Sequence, residues 1–145
     1  MIRTALVVAM LAFCATALVA QSDPIAARKA LMKANGDQSK LATDMLEAKQ
    51  PFSLDAAKKV FATFAEAGEK APALFPDSSK SGGDTAALPA IWENKADFTA
   101  RLAKFASDAK AAAAATKDFD SFKIQITEVR KNCGGCHQTY RKKTS

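Results

Sequence analysis

Cys133, Cys136 and His137 stand in the run Cys133-Gly134-Gly135-Cys136-His137, close to the C-terminal end of a 145-residue chain. Two thiols three residues apart, followed at once by an imidazole, form the C-x-x-C-H pattern of covalent haem attachment. On a helix, residues three and four apart share a face, so the two thiols project side by side and His137 follows Cys133 by about one turn. Thioether bonds from both sulfurs to porphyrin vinyl groups would hold the ring against that face, with a nitrogen of His137 as the proximal iron ligand. Gly134 and Gly135 put no side chain between the anchors. Other chemistries fit these residues less well. A structural zinc site takes four protein ligands and a catalytic one three plus water, whereas the chain has three cysteines, one of them (Cys14) in the N-terminal apolar run, and a single histidine. An iron–sulfur cluster needs more cysteines than that. A thioredoxin-like pair wants a βαβ context, and no strand pattern is present. A plain disulfide leaves the adjacent histidine unexplained.

The N-terminus agrees with this chemistry. Arg3 precedes an apolar run from Ala5 to Ala20, after which Gln21, Ser22 and Asp23 turn the chain polar. That is the layout of a secretory signal peptide cleaved after Ala20 or after Ala17. The run is short for a membrane span of ~20 residues, and Phe13 before Cys14 does not suit a lipoprotein cleavage site. Export to the bacterial periplasm is therefore expected, with residues 1–20 removed and residues 21–145 forming one domain. The formal charge of +6 falls to +5 with the loss of Arg3. A mildly basic surface suits steering toward an acidic protein partner. Nucleic-acid binding is not indicated, because the lysines are scattered and no basic segment is interleaved with aromatics. Lys142 and Lys143 read as a solvated tail.

The elements that must position the cysteines read as helices punctuated by Pro24, Pro51, Pro72, Pro76 and Pro89. Four are expected. The first runs over 24–48, capped by Ser22 or Asp23, with Ile25, Met32, Leu41 and Met45 inward. Asn35-Gly36-Asp37 in its middle is a turn signal that competes with continuity. The second runs over 53–70 from a Ser53 cap, burying Val60, Phe61, Phe64 and Ala65. The third runs over 89–115 with a stripe of Phe98, Leu102, Phe105 and Ala109, and its alanine run 111–115 favours helix. The fourth runs over 120–141 with Phe122, Ile126, Val129, Cys133, Cys136 and Tyr140 on one face. Both cysteines thus continue the apolar stripe, which predicts an all-α, antiparallel four-helix bundle with one covalently bound haem c in its core. Residues 74–88, rich in Ser, Gly, Pro and Asp, read as a structureless connection of unusual length, suited to partner contacts.

These residues together resemble the class II cytochromes c, the cytochrome c-prime fold. The C-terminal placement of Cys133 to His137, the following Tyr140-Arg141 pair and the Arg28-x-x-x-Met32 element carry the resemblance, which extends over the whole mature chain. Leu74-Phe75-Pro76-Asp77-Ser78, Ile91-Trp92 and Phe98 look nearest to the low-spin cytochrome c-556 branch. The resemblance implies that Met32 is the sixth iron ligand and that Arg28 pairs with a haem propionate. From spacing alone, an inward methionine is more often core filling, and an exposed arginine would look the same as a propionate partner. Met45 competes for the ligand role but lies over three turns away, about 20 Å by helix rise. Gly36, one turn past Met32, either breaks the helix or leaves a gap that a flat ring can approach.

The expected function is single-electron transfer by a haem with His/Met axial ligation, exchanging electrons with protein redox partners, as a monomer or homodimer without a stable membrane anchor. The alternative is a five-coordinate, cytochrome c-prime-like protein that binds nitric oxide or carbon monoxide. An enzyme is not expected. A haem peroxidase needs an acid–base residue above the iron, and the only histidine is already assigned.

Overall fold

The computed structural model describes residues 23–143, so the expected signal peptide and Cys14 lie outside the described residues. Helix α1 spans Pro24–Leu46, α2 Leu54–Lys70, α3 Ala90–Glu93, α4 Lys95–Ala115 and α5 Phe119–Tyr140, with two short 3-10 turns at Ala71–Leu74 and Asp77–Ser79. The four long helices form the expected bundle.

Local chemistry sets their ends. Asp23 caps α1 by accepting from the Ile25 N–H at 2.8 Å, and Pro24 takes the first helical position, where no N–H is needed. Ser53 caps α2 through the Ala56 N–H. Asp118 and Ser121 cap α5 reciprocally, so that helix begins slightly earlier than its sequence suggests. Helix α1 runs unbroken through Asn35-Gly36-Asp37, and ion pairs one turn apart, Lys33–Asp37 at 2.7 Å and Lys40–Asp44 at 2.5 Å, brace the stretch.

The third predicted helix is instead two. Asn94, at φ −124° and ψ 47°, interrupts it. The break lets α3 bury Ile91 and aim the Trp92 indole N–H at the carbonyls of Phe75 and Pro76, 3.1 and 3.3 Å away. Residues 74–88 also depart from expectation, because they form a strap rather than a free loop. The Leu88 N–H donates to the Tyr140 carbonyl at 3.0 Å and the Lys142 N–H to that of Ala86 at 2.8 Å. The strap thereby closes over the end of α5.

Helices α2 and α4 form the central pair, α1 packs on α2, and α5 on α4. By contrast, α1 and α5 approach one another at few points. Two apolar clusters fill the interior. The larger gathers Met45, Val60, Phe61, Phe64, Phe105, Phe122, Ile126 and Val129, with Cys133 packed against it. The smaller gathers Phe75, Ile91, Phe98, Leu102 and Tyr140, with Cys136 packed against it. Leu31 touches both.

The central pair is close because of Gly68. A Cβ there would stand 2.6 Å from the Leu102 carbonyl oxygen and 2.9 Å from the Ala106 Cβ. Backbone cannot yield as a flexible side chain would. Gly68→Ala is therefore expected to destabilise the fold by ~2 kcal/mol, the usual range for overpacking, despite alanine's better helix propensity; equilibrium unfolding in guanidinium measures it.

Candidate functional site

Cys133, Cys136 and His137 all lie inside α5, so their relative positions are fixed by helix geometry rather than by a loop. The two cysteines are half-buried and are not joined in a disulfide. Burial pushes both thiols above their ordinary range, opposed by Arg130 beside Cys133 and by Arg101 beside Cys136. His137 lies on the exposed side of α5, yet the protein packed beneath it withdraws enough water to lower its pKa, and the Arg141 charge adds to this. A neutral imidazole is the form that ligates a metal. Among the described residues, no three His, Cys, Asp or Glu side chains are grouped to hold a bare metal ion.

The C-terminal turn of α5 is clamped from α4. The Tyr140 hydroxyl donates to the Asp97 carboxylate, Arg101 pairs with Asp97 at 2.7 Å, and the same guanidinium donates to the Gly135 carbonyl at 3.1 Å. One arginine thus holds the two-glycine spacer between the cysteines. No periodicity in the sequence links Asp97 and Arg101 to residues 34 to 43 positions away.

Across from α5, helix α1 carries Arg28 and Met32. Arg28 is only 5% exposed. Its Nη1 donates to the Leu74 carbonyl at 3.2 Å and the Ser79 hydroxyl at 2.9 Å, and its Nη2 to the Ser79 carbonyl at 3.1 Å and the Thr85 hydroxyl at 2.6 Å. The guanidinium also stacks 4.7 Å from the centre of the Phe75 ring. Arg28 therefore pins the strap to α1. Every one of these acceptors is neutral, and burial lowers its pKa against a partial counter-effect from Asp23. A buried cation without a carboxylate partner is a place where an anion is favourable.

Met32 departs from the expected inward position, being 37% exposed. Met45 is the buried one, at 2%, packed in the larger cluster. The relative height of α1 and α5 follows from a cross-link that sequence reading did not find: Arg130 Nη2 donates to the Ser39 carbonyl and to the Thr43 hydroxyl, the latter at 2.8 Å. Moving toward the strap, about 10 Å of rise separates Arg130 from His137 on α5, and about 10 to 16 Å separates Ser39 and Thr43 from Met32 on α1. Met32 and His137 both lie on the strap side of that cross-link, on different helices. Gly36, one turn from Met32, has nothing within 4 Å of where a Cβ would be.

Residues 23–141 match the family described as Cytochrome C'. The chain belongs to that family. It is 46% identical to a cytochrome c' of Rhodopseudomonas palustris, over 88% of this chain and 87% of the relative. It is also 31% identical to a cytochrome c-556 of the same organism, over 99% of each. A cytochrome c' structure from Rhodopseudomonas palustris superposes with a TM-score of 0.83 at 46% identity, covering 86% of this chain and all 100% of that one. An NMR-validated structural model of oxidised cytochrome c556 from that organism gives 0.78 at 29% identity, covering 86% and 100%. As a member of the Cytochrome C' family, this chain is a c-type haem protein with covalently bound haem c.

The α4 clamp predicts a pH signature. The Tyr140 hydroxyl first, and Arg101 second, hold the Asp97 carboxyl below the usual range. A depressed folded-state pKa contributes stability above the unfolded value of ~3.9 and loses it as pH falls through the folded value. Tyr140→Phe should therefore lower stability at neutral pH, and the gap to wild type should narrow below pH ~4. Guanidinium unfolding of the haem-loaded protein across pH 3 to 7 (about the accessible range) measures both.

Proposed function

We propose that this protein is a periplasmic single-electron carrier in which Cys133 and Cys136 hold the haem covalently, His137 is its proximal iron ligand and Met32 its sixth. The placement of Met32 carries the reading. Its thioether lies outside both apolar clusters and, like His137, on the strap side of the Arg130 cross-link, whereas Met45 is locked in the core beyond it. A methionine serving only as core filling would be expected where Met45 is.

The remaining residues fit the group. The apolar clusters beneath Cys133 and Cys136 form a dry support for a porphyrin, and α5 sets both sulfurs and the imidazole on one rigid frame. The uncompensated charge of Arg28 suits a propionate, although its Nη donors already serve the strap, so the contribution is mainly electrostatic. When bound, the haem supplies an iron that passes between ferric and ferrous states and so takes and returns one electron. A thioether paired with an imidazole favours the ferrous state and raises the potential. Holding both ligands on helices that α2 and α4 tie together keeps rearrangement small between states. No residue here is assigned a catalytic acid–base role, and the reading is of a carrier rather than an enzyme.

Export to the periplasm rests on the apolar run 5–20 and its polar boundary. Among the described residues no helix is long and apolar enough to cross a membrane. A net basic surface favours acidic protein redox partners.

A second reading has a specific observation behind it: a relative of 46% identity is a cytochrome c', against 31% for the cytochrome c-556 of the same organism. In that reading Met32 stays off the iron and the sixth position is open to nitric oxide or carbon monoxide. Absorption spectra separate the two. The electron-carrier reading expects a low-spin wild type in both oxidation states with slow, weak carbon monoxide uptake, and a high-spin Met32→Ala variant that binds carbon monoxide readily. A high-spin wild type matching Met32→Ala would hand the assignment to the gas-binding reading.

A further inference from the structure

We propose that Asn35 is a positioning residue for the Met32 thioether, its side-chain N–H holding the sulfur and drawing electron density from it. This deepens the reading of Met32 as an iron ligand and rests on it. Asn35 follows Met32 by three residues on an unbroken helix, so the two share a face. Its Nδ2 lies 4.0 Å from the Met32 Sδ, within reach of a weak N–H to sulfur hydrogen bond.

The carboxamide is oriented for this contact. Turning it over would set the Oδ1 lone pairs against those of the sulfur, so the donor end faces Met32. Oδ1 is itself buried with no hydrogen-bond partner. An unsatisfied buried oxygen is costly, and asparagine is a poor residue for a helix interior because its side chain competes for backbone groups. Among the described residues, Asn35 makes no such backbone contact; its side chain bonds only to Met32. Met32 lies outside both apolar clusters, and the amide is the polar group in contact with its sulfur.

The chemistry is compatible with ligation. A thioether sulfur has two lone pairs, one free for iron while the other accepts the N–H. Donation to a ligand atom lowers its electron release to the metal, the usual effect of an outer hydrogen bond. Less release disfavours the ferric state, so Asn35 raises the reduction potential. Gln38, three residues further, also has a buried, unpartnered side-chain oxygen but makes no hydrogen bond to the sulfur, which makes it the natural control.

The test is the reduction potential and the ferric thioether-to-iron charge-transfer band of the haem-loaded protein, for wild type, Asn35→Leu, Asn35→Gln, Gln38→Leu, Met32→Ala and the Met32→Ala/Asn35→Leu double variant. Leucine is a better helix former than asparagine, so loss of folding is not the expected outcome. In a low-spin wild type, Asn35→Leu should stay low-spin, move the charge-transfer band and shift the redox equilibrium about fivefold toward the oxidised form, the size of one modest hydrogen bond. Asn35→Gln, which keeps the donor, should recover most of that shift, and Gln38→Leu should leave the potential in place. In the Met32→Ala background, Asn35→Leu should shift nothing, because its lever is gone. An unchanged potential in Asn35→Leu, or an equal shift with Met32 absent, overturns the role of Asn35 while leaving Met32 ligation standing. A high-spin wild type overturns both.

Discussion

In the proposed assignment two thiols and an imidazole must keep fixed separations from one flat ring, and the fold places all three residues on a single helix. Cys133, Cys136 and His137 ride on α5, where backbone hydrogen bonds set their spacing to within the tolerance of a helix turn. Everything else in the molecule serves to hold α5 still. Phe122, Ile126 and Val129 anchor its first half in the larger cluster. Tyr140, Asp97 and Arg101 anchor its last turn.

The second requirement is that α1 face α5 without closing on it. Helices α1 and α5 share the larger apolar cluster at the end away from the strap, through Met45, Phe122 and Ile126, and Arg130 reaching Ser39 and Thr43 cross-links them next to it. Beyond that cross-link α1 is held from elsewhere. Arg28 pins its N-terminal half to the strap, and the strap is tied to the end of α5. On the strap side of the cross-link the two helices are therefore held through the strap, which suits a planar cofactor between them. It also accounts for an arginine buried so deeply: its guanidinium organises the strap.

Much of this was legible in the residues. The C-x-x-C-H run, the apolar stripe carrying Phe122 to Tyr140 and the proline punctuation led to the helical bundle and the haem, because each depends on local spacing. What was not legible depends on pairs far apart in sequence. Asn94 gives no signal that it will break a helix; the break follows from Ile91 and Trp92 finding partners in the strap. The strap looked structureless because Ser, Gly and Pro composition says nothing of an arginine on another helix that will organise it. Hydrophobicity alone put Met32 and Met45 in the same inward class, since a thioether does not announce whether it is to be packed or left available. The contacts of Arg130 and Asn35 were invisible for the same reason. Burial separates the two methionines, with Met45 packed in the core and Met32 outside both clusters.

X-ray absorption at the iron edge of the intact, haem-loaded protein tests the account at its centre, because it counts the atoms bound to the metal. The account predicts five nitrogens and one sulfur, four of the nitrogens from the porphyrin, in both the oxidised and the reduced protein. A first shell of nitrogens alone, in either state, would contradict it.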